Sequence, residues 1–249
     1  YLFGFMTLSG ALKLRAADLG RSVRSPLPVL LFFLFAHLGM PLAALALGRL
    51  LNPGNPDITA GFVLLFSIPT AVSGFIWITI FRGASALSLA LILLDTLAAP
   101  FLVPATVSFL LGTGISLDMT GMAVSLLAMV VLPTALGVGL NELSKREVPR
   151  AASPYLGVPA KACLFLVVAA NSAAVAPQVD FSDIRVWTTA LQALGLGFLG
   201  FLLGRIAGLL GRLDRERTTA LVFAVGLRNI SAAATLAIAF FPKEAALPS

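Results

Sequence analysis

The chain has 249 residues, of which 59% are hydrophobic and 11% are charged, and its mean hydropathy is +1.00. This composition excludes an ordinary soluble domain, in which about a quarter of the residues are charged. The net charge of +6 would indicate nucleic-acid binding in a soluble chain, whereas here the basic loops of a membrane protein account for it. The single cysteine, Cys163, excludes an internal disulfide.

Eight apolar segments follow one another along the chain, and they predict an all-α membrane protein. The first segment has only about two thirds of the length that crosses a bilayer, whereas each of the others is long enough. The segments are residues 1–12, 26–51, 59–81, 84–111, 120–140, 155–176, 186–210 and 217–241.

The basic residues of the loops predict the orientation of the chain in a membrane, which we expect to be a bacterial inner membrane. Three lysines and arginines lie in one set of loops, and twelve lie in the alternate set, at residues 13–24, 82, 145–150 and 205–217. The second set is therefore expected in the cytoplasm. Lys161 lies near a segment end, from which its side chain is expected to reach the cytoplasmic surface.

Two of the segments are interrupted at their centres. Pro69 and Gly74 divide the third segment, and Gly226 divides the last one, next to Arg228 and Asn229. A break inside the membrane leaves backbone groups that need partners, and an arginine at that depth is costly unless it is paired, hydrated or functional. Two such segments in matching parts of a chain predict the binding site of a secondary transporter.

Two weak internal matches predict an inverted repeat. Residues 38–49 resemble residues 194–205 at an offset of 156, and residues 64–69 resemble residues 221–226 at an offset of 157. Because the loops alternate, the two members of each match cross the membrane in opposite directions, as the repeats of many carriers do.

The offset also predicts where each repeat begins and ends. We expect a first repeat at residues 1–112 and a second at residues 118–249. By this alignment the first repeat lacks most of its first span and the second lacks its last span. About eight spans of an expected ten would then be present in these residues.

Four runs of sequence resemble the bile acid:sodium symporter family, and the resemblance covers nearly the whole chain. The runs are GFMTLSGALKLRAADL (residues 4–19), FLFAHLGMPL (33–42), RGASALSLALILLDTLAAPFLVP (82–104) and RTTALVFAVGLRN (217–229).

This resemblance implies both a fold and a class of substrate. The fold is a core domain with two crossing broken helices, at about residues 26–112 and 186–249. A panel domain, at about residues 1–19 and 120–176, lies beside it. The substrates that the resemblance implies are organic anions, either bile-acid-like molecules or small carboxylates.

The chain departs from the family pattern where the members that use sodium carry polar residues. One serine of that pattern is retained as Ser88. Apolar residues supply no hard oxygen ligands for sodium, so we expect no coupling to sodium in the family's usual way, and no cofactor. The altered positions are Ala36, Gly74, Phe75, Ile92, Ala224 and Arg228.

Three polar residues within the spans are candidates for ligand or proton binding. Arg228 is interpreted either as a bidentate receptor for a carboxylate or sulfonate, or as a permanent partner of Asp95. Asp95 is either that partner or the group whose proton replaces sodium as the coupling ion. His37, the only histidine, is either a hydrogen-bonded core residue or a proton relay with Asp95.

Neighbouring residues complete the predicted site, and their hydroxyl and amide groups also suit the capping of broken helices. The predicted coupling-ion or proton site consists of Asp95, His37 and Ser88, without a metal. The predicted substrate-binding residues are Arg228, Asn229, Thr70, Ser73 and Phe75.

The sequence therefore predicts a secondary transporter of organic anions, with a small anion and the lipid bilayer as partners and no nucleic acid. An enzyme is not expected, because the sequence has no nucleophile–base arrangement, metal cluster or phosphate loop in the required context. Two alternatives remain open. One is a sodium symporter that uses mostly backbone ligands, and the other is a transport-inactive membrane sensor or complex subunit.

Overall fold

The computed structural model describes residues 2–12, 14, 26–72, 74–112, 118–145 and 147–248. Within these residues the chain forms helices and no strand. Besides two short 3₁₀ helices, Ala176–Gln178 and Lys243–Ala246, the helices of this part are α1 (Leu2–Ala11), α2 (Pro26–Leu51), α3 (Pro56–Ser67), α4 (Gly74–Ile80), α5 (Ser85–Leu111), α6 (Met119–Leu143), α7 (Glu147–Val175), α8 (Ile184–Leu210), α9 (Arg215–Gly226) and α10 (Ile230–Phe240).

Five of the described helices contain an apolar stretch that is long enough to cross a membrane. These stretches are the whole of α2, α5, α6 and α8, together with Tyr155–Val175 of α7. They coincide with five of the predicted apolar segments, so the prediction of an all-α membrane fold is confirmed.

The first interrupted segment breaks where its sequence places a proline. Ile68 precedes Pro69, and steric contact with the proline ring drives the preceding residue out of the helical region. Ile68 accordingly is extended, with φ −62° and ψ 146°, and α3 ends one residue earlier at Ser67. The chain becomes helical again at Gly74, the first residue of α4.

The second interrupted segment breaks directly after a glycine. Gly226 is the last residue of α9, and Leu227 is extended, with φ −102° and ψ 115°. Asn229 then caps α10, because its side-chain oxygen accepts a hydrogen bond from the backbone N–H of Ala232 at 3.3 Å. A side chain on Gly226 would collide with Phe201 of α8, so this glycine serves close helix packing.

The two breaks cross, and each supplies hydrogen-bond partners for the other. Thr70 and Arg228 form an isolated antiparallel bridge at the crossing. Backbone groups freed by both breaks are thus satisfied without water, as the membrane interior requires. The bonds across this crossing, called here the crossover, are Ala71 N to Leu227 O (3.2 Å), Asn229 N to Pro69 O (3.1 Å) and Thr70 Oγ1 to Leu227 O (2.9 Å).

The helices before the two breaks pack against their preceding helices in the same way. A Cβ atom added to Gly48 of α2 would lie 2.7 Å from the Thr59 side chain of α3. One added to Gly208 of α8 would lie 2.5 Å from the Thr218 side chain of α9. By these contacts Gly48 corresponds to Gly208, an offset of 160 residues. The sequence match, with its offset of 156 residues, pairs Gly48 with Gly204, which lies one helical turn before Gly208.

Two sets of contacts define the two ends of the molecule. At the end called here the basic end, where Arg82 and Arg212 lie, the Ala84 N–H donates to Glu216 O at 2.9 Å. At the opposite end, the Asn52 amide donates to the Gln192 side chain at 2.7 Å. The crossover lies between these ends.

Candidate functional site

The carboxylate of Asp95 on α5 holds the crossover in place. It is fully buried, and its Oδ2 accepts a hydrogen bond from the backbone N–H of Thr70 at 2.7 Å. Its Oδ1 lies 2.6 Å from Nε2 of His37 on α2. Asp95 therefore connects α2 and α5 to the backbone at the point where the two broken segments cross.

His37 lies in a π-helical turn, Leu34–Gly39, within α2. Its ring stacks on Phe33 at a centroid distance of 5.4 Å and meets the edge of Phe32 at 6.0 Å. Because Nε2 faces a carboxylate oxygen, we assign the ring proton to Nε2. The other nitrogen, Nδ1, is buried and has no hydrogen-bond partner among the described residues.

The guanidinium of Arg228 is bound by two backbone carbonyls. It is 6% exposed, and its Nη2 donates to Ala36 O at 2.9 Å and its Nη1 to Ile68 O at 3.3 Å. Its Nε is buried without a partner in the described part of the chain.

Local backbone geometry makes both carbonyls available. In the π-helical turn of α2, the Met40 N–H reaches back to Phe35 O, so it does not bond the oxygen of Ala36. The next residue, Pro41, has no N–H to donate. Ile68 O lies beyond the last turn of α3, where helix carbonyls lack intrahelical partners and carry partial negative charge. Arg228 thus places a positive charge where two freed carbonyls require a donor.

A direct ion pair between Arg228 and Asp95 was one interpretation of the sequence, and the structure does not contain it. Asp95 pairs with His37 instead. Both carboxylate oxygens are already hydrogen-bonded, one by His37 and the other by Thr70. Arg228 is directed to carbonyl groups, so its charge and that of Asp95 act on each other without contact.

A cavity of about 460 Å³ lies against the crossover, on the side of the basic end. It separates α1 and α7 from the crossover and α4. Its volume is typical of small-molecule sites. The polar residues and the larger apolar residues among those that line it are Thr7, Ser9, Lys161, Arg228, Asn229, Ser231, Met6, Leu14, Val72, Phe75, Ile76, Leu89, Leu164 and Ile230.

The charged residues of this cavity wall are all basic. Arg228 lines it from the crossover and Lys161 from α7, and the described lining contains no aspartate or glutamate. From the sequence, the Lys161 side chain is expected to extend to the cytoplasmic surface of the membrane. In the structure Lys161 is exposed and is one of the residues that line the cavity, and its reach to the membrane surface stays a prediction.

The other predicted site residues have different surroundings. Phe75 and Asn229 line the cavity, whereas Thr70 is 3% exposed and donates its hydroxyl hydrogen to Leu227 O at 2.9 Å within the crossover. Ser88 is fully buried, and its hydroxyl has no partner among the described residues. Ser73 lies outside the described residues.

A second cavity, of about 420 Å³, lies on the other side of the crossover, between α7, α8 and α10. The two cavities share Ile230 and Ser231, the first residues of α10. Asn171 of α7, which lines the second cavity, donates to Ser231 O at 3.2 Å and to Thr235 Oγ1 at 3.4 Å. The polar contact between α7 and α10 therefore lies where the two cavities meet.

Asn171 and Pro41 were not among the residues predicted from the sequence to form the site. Asn171 is an amide within an otherwise apolar segment, which is itself a signal of a polar contact between membrane helices. Pro41 lies near the middle of a spanning segment, where it removes one backbone donor.

Comparison with known proteins identifies the family of the chain. Residues 4–248 match the profile of the SBF-like CPA transporters. The chain belongs to the SBF-like CPA transporter family. As a member of the SBF-like CPA transporter family it is a membrane transporter and not an enzyme, and the resemblance to the bile acid:sodium symporters is confirmed.

Several curated proteins are similar to the chain. YbaS of Bacillus subtilis strain 168, an uncharacterised protein, is 35% identical over 248 residues, which are 100% of this chain and 81% of YbaS. YocS of the same organism, an uncharacterised sodium-dependent transporter, is 26% identical over 99% of this chain and 75% of its own length. The probable sodium/metabolite cotransporter BASS1, chloroplastic, of Oryza sativa subsp. japonica is 28% identical over 90% of this chain and 54% of its own length.

Proposed function

We propose that this protein is a secondary transporter of organic anions, either bile-acid-like molecules or small carboxylates, that works by alternating access. One observation carries the proposal. The cavity beside the crossover contains two basic residues, Arg228 and Lys161, and its described lining contains no acidic residue. Such a wall attracts anions and repels cations, and its many apolar groups suit the body of an organic molecule.

The position of Arg228 supports transport without the family's usual coupling to sodium. Carbonyls at the ends of broken helices are the groups with which carriers of this kind bind sodium ions. Here the guanidinium already donates to Ile68 O and Ala36 O. Because the Arg228 guanidinium already occupies this place, a sodium ion is not needed there, and the positive charge of the guanidinium repels it.

The buried pair of His37 and Asp95 supports the proton as the coupling ion. The carboxylate bonds the Thr70 N–H of the crossover, so a change in its charge acts on the backbone that separates the two cavities. The charged groups near it are His37, in direct contact, and Arg228, whose charge acts on it through space. Buried ionisable groups of this kind mark proton pathways in membrane carriers.

The names of two relatives favour a sodium-dependent symporter as the second candidate. YocS is named as a sodium-dependent transporter, and rice BASS1 is named as a probable sodium/metabolite cotransporter. In that case the ligands would be mainly backbone carbonyls. A transport-inactive sensor or complex subunit is the third candidate, and it predicts no uptake under any gradient.

The proposed membrane is a bacterial inner membrane, with the loops at residues 13–24, 145–150 and 205–217 in the cytoplasm. The inverted repeat also belongs to this proposal. It is supported by the corresponding contacts of Gly48 with Thr59 and of Gly208 with Thr218.

The test is uptake into proteoliposomes of radiolabelled cholate and of carboxylates with three to six carbons, with either a proton or a sodium gradient. We expect uptake that follows the proton gradient. Arg228→Ala should lower it at least about tenfold, because two carbonyls and the cavity lose their cation. Arg205→Ala, which removes an exposed arginine of α8, is the matched control and should transport normally.

A further variant separates proton coupling from sodium coupling. Arg228→Gln retains a hydrogen-bond donor but removes the charge, so sodium should raise its melting temperature relative to choline, while the unmodified protein should not respond. Full transport by Arg228→Ala, or uptake by the unmodified protein that follows only the sodium gradient, would contradict the proposal.

A further inference from the structure

Lys161 is a basic residue in the wall of the cavity that no hydrogen bond or ion pair with a described residue ties to the fold or to the crossover. It belongs to α7, opposite the crossover. It is one of the residues that line the cavity, and it is exposed. Lys161 makes no ion pair with a residue that the structure describes. A lysine that stabilised the fold would be expected to have a carboxylate or carbonyl partner, and this one has neither among the residues that the structure describes.

Arg228, in contrast, has its position determined by the protein. Its two terminal nitrogens donate to Ala36 O and Ile68 O. A guanidinium held in this way contributes its charge to the cavity but cannot reorient its planar fork toward a ligand without losing both bonds. The ammonium of Lys161, on a flexible four-carbon stem, carries three donors that no described residue uses.

The rest of the cavity wall combines apolar and weakly polar groups. Phe75, Val72 and Leu164 contribute apolar surface, whereas Asn229 and Ser231 contribute an amide and a hydroxyl at the start of α10. One mobile cation among such groups matches a ligand with one acidic group, a carboxylate or a sulfonate, on an apolar body.

We infer that Lys161 is the direct contact for the acidic group of the transported anion and determines its affinity, while Arg228 supplies a fixed positive field. This inference rests on the proposed function and changes the role given to Arg228 by the sequence. Because Lys161 lies on α7 and Arg228 in the crossover, an anion between them connects the two walls of the cavity.

The test measures the electrostatic preference of the cavity with reagents instead of a substrate. In a Cys163→Ala background, Ser231→Cys places a thiol in the cavity wall, and Ser9→Cys provides a second position. The measured quantity is the ratio of the reaction rates with an anionic (sulfonatoethyl) and a cationic (trimethylammonioethyl) methanethiosulfonate. We expect Lys161→Met to lower this ratio at least about fivefold, since one unit charge is removed at short range.

Two variants control for charge and for position. Lys161→Arg should keep the ratio, because the charge remains. Lys145→Met removes a lysine from the turn between α6 and α7, outside the cavity lining, and should leave the ratio unchanged. A ratio that Lys161→Met does not change, or thiols at both positions that react with neither reagent, would overturn the inference.

Uptake assays separate this inference from the proposed function. If Lys161→Met lowers the ratio and raises the KM for carboxylate uptake several-fold without a matching fall in the maximal rate, both stand. If the ratio falls but the unmodified protein takes up no carboxylate, the proposed function fails and the charge assignment of the cavity remains. If uptake occurs and neither the ratio nor the KM responds to Lys161→Met, the inference about Lys161 fails while the proposed function stands.

Discussion

At the scale of single residues, the backbone around Ala36 explains why a buried arginine is stable in this protein. The π-helical turn and Pro41 together leave the Ala36 carbonyl without a helical donor. An unsatisfied carbonyl within a membrane is costly, and so is an unpaired guanidinium. The hydrogen bond from Arg228 Nη2 to Ala36 O, at 2.9 Å, satisfies both groups and so removes both costs.

A prediction for Asp95 follows from its two hydrogen bonds. Asp95→Asn keeps an oxygen for the Thr70 N–H, and its amide group can donate to His37 once the ring proton moves to Nδ1. We therefore expect a folded protein whose uptake no longer responds to a proton gradient. Asp95→Leu leaves both partners unsatisfied and should reduce stability by about 2–6 kcal/mol, measured by thermal unfolding in detergent.

The comparison between the two variants determines the role of the carboxylate. If Asp95→Asn transports with an unchanged response to the proton gradient, the carboxylate is only structural. Equal stability of the two variants would contradict the hydrogen-bond assignment itself.

At the scale of helices, close approach of α8 to α9 positions the second break. A Cβ atom on Gly204 would lie 2.6 Å from Leu221 O and from Val222 Cα, and one on Gly200 would lie 3.1 Å from Gly226 Cα. These contacts are with backbone atoms, which cannot move aside as a flexible side chain can. The glycines therefore determine how closely α8 packs on the helix that leads into the crossover.

Gly204→Ala is accordingly expected to destabilise the protein by about 1–3 kcal/mol, because the added methyl group separates two packed helices. Gly195→Ala, in the same helix, is the matched control, since no described atom outside the neighbouring backbone of α8 lies within 4 Å of the added methyl group. That change should be neutral or slightly stabilising, because alanine is the better helix former. Thermal unfolding of both variants checks the prediction, and equal melting temperatures would contradict it.

At the scale of the whole molecule, two cavities lie on opposite sides of one crossover and share only the start of α10 among the residues described as lining them. The contact of Asn171 with Ser231 and Thr235 joins α7 to α10 at this place. If alternating access moves α7 relative to the crossover, this contact must break and reform in each cycle.

A reversible cross-link tests this motion. Asn171→Cys combined with Thr235→Cys, in a Cys163→Ala background, should form a disulfide under mild oxidation. Oxidation is expected to reduce uptake by at least about 90%, since alternating access requires the two walls to separate, and reduction should restore it. Each single-cysteine variant, which cannot form the intramolecular bond, is the control. Uptake that continues after complete cross-linking would show that α7 and α10 do not separate.

Much of the architecture was accessible from local sequence, for identifiable reasons. The spanning helices follow from runs of apolar residues, and their described positions agree with the predicted segments. The first break follows from Pro69, because proline restricts the residue before it irrespective of distant contacts. The prediction that breaks occur near Pro69 and Gly226 needed no knowledge of partners.

The partners of the buried polar residues were not accessible in this way. The number of residues between His37 and Asp95, or between Ala36 and Arg228, does not indicate that they are in contact. The direct pairing of Arg228 with Asp95 was therefore an equally reasonable interpretation of the sequence. That Lys161 lines a cavity was not accessible from the sequence either, because a helix viewed alone does not reveal whether a neighbouring cavity lies beside it.

The sequence by itself therefore determined that this chain lies in a membrane, that two of its helices break, and that an arginine lies at one break. Those features depend on residue type and on neighbours along the chain, which act through hydropathy and backbone sterics. Only the tertiary structure decided what meets the arginine, because freed carbonyls, buried carboxylates and cavities arise where separate helices come together.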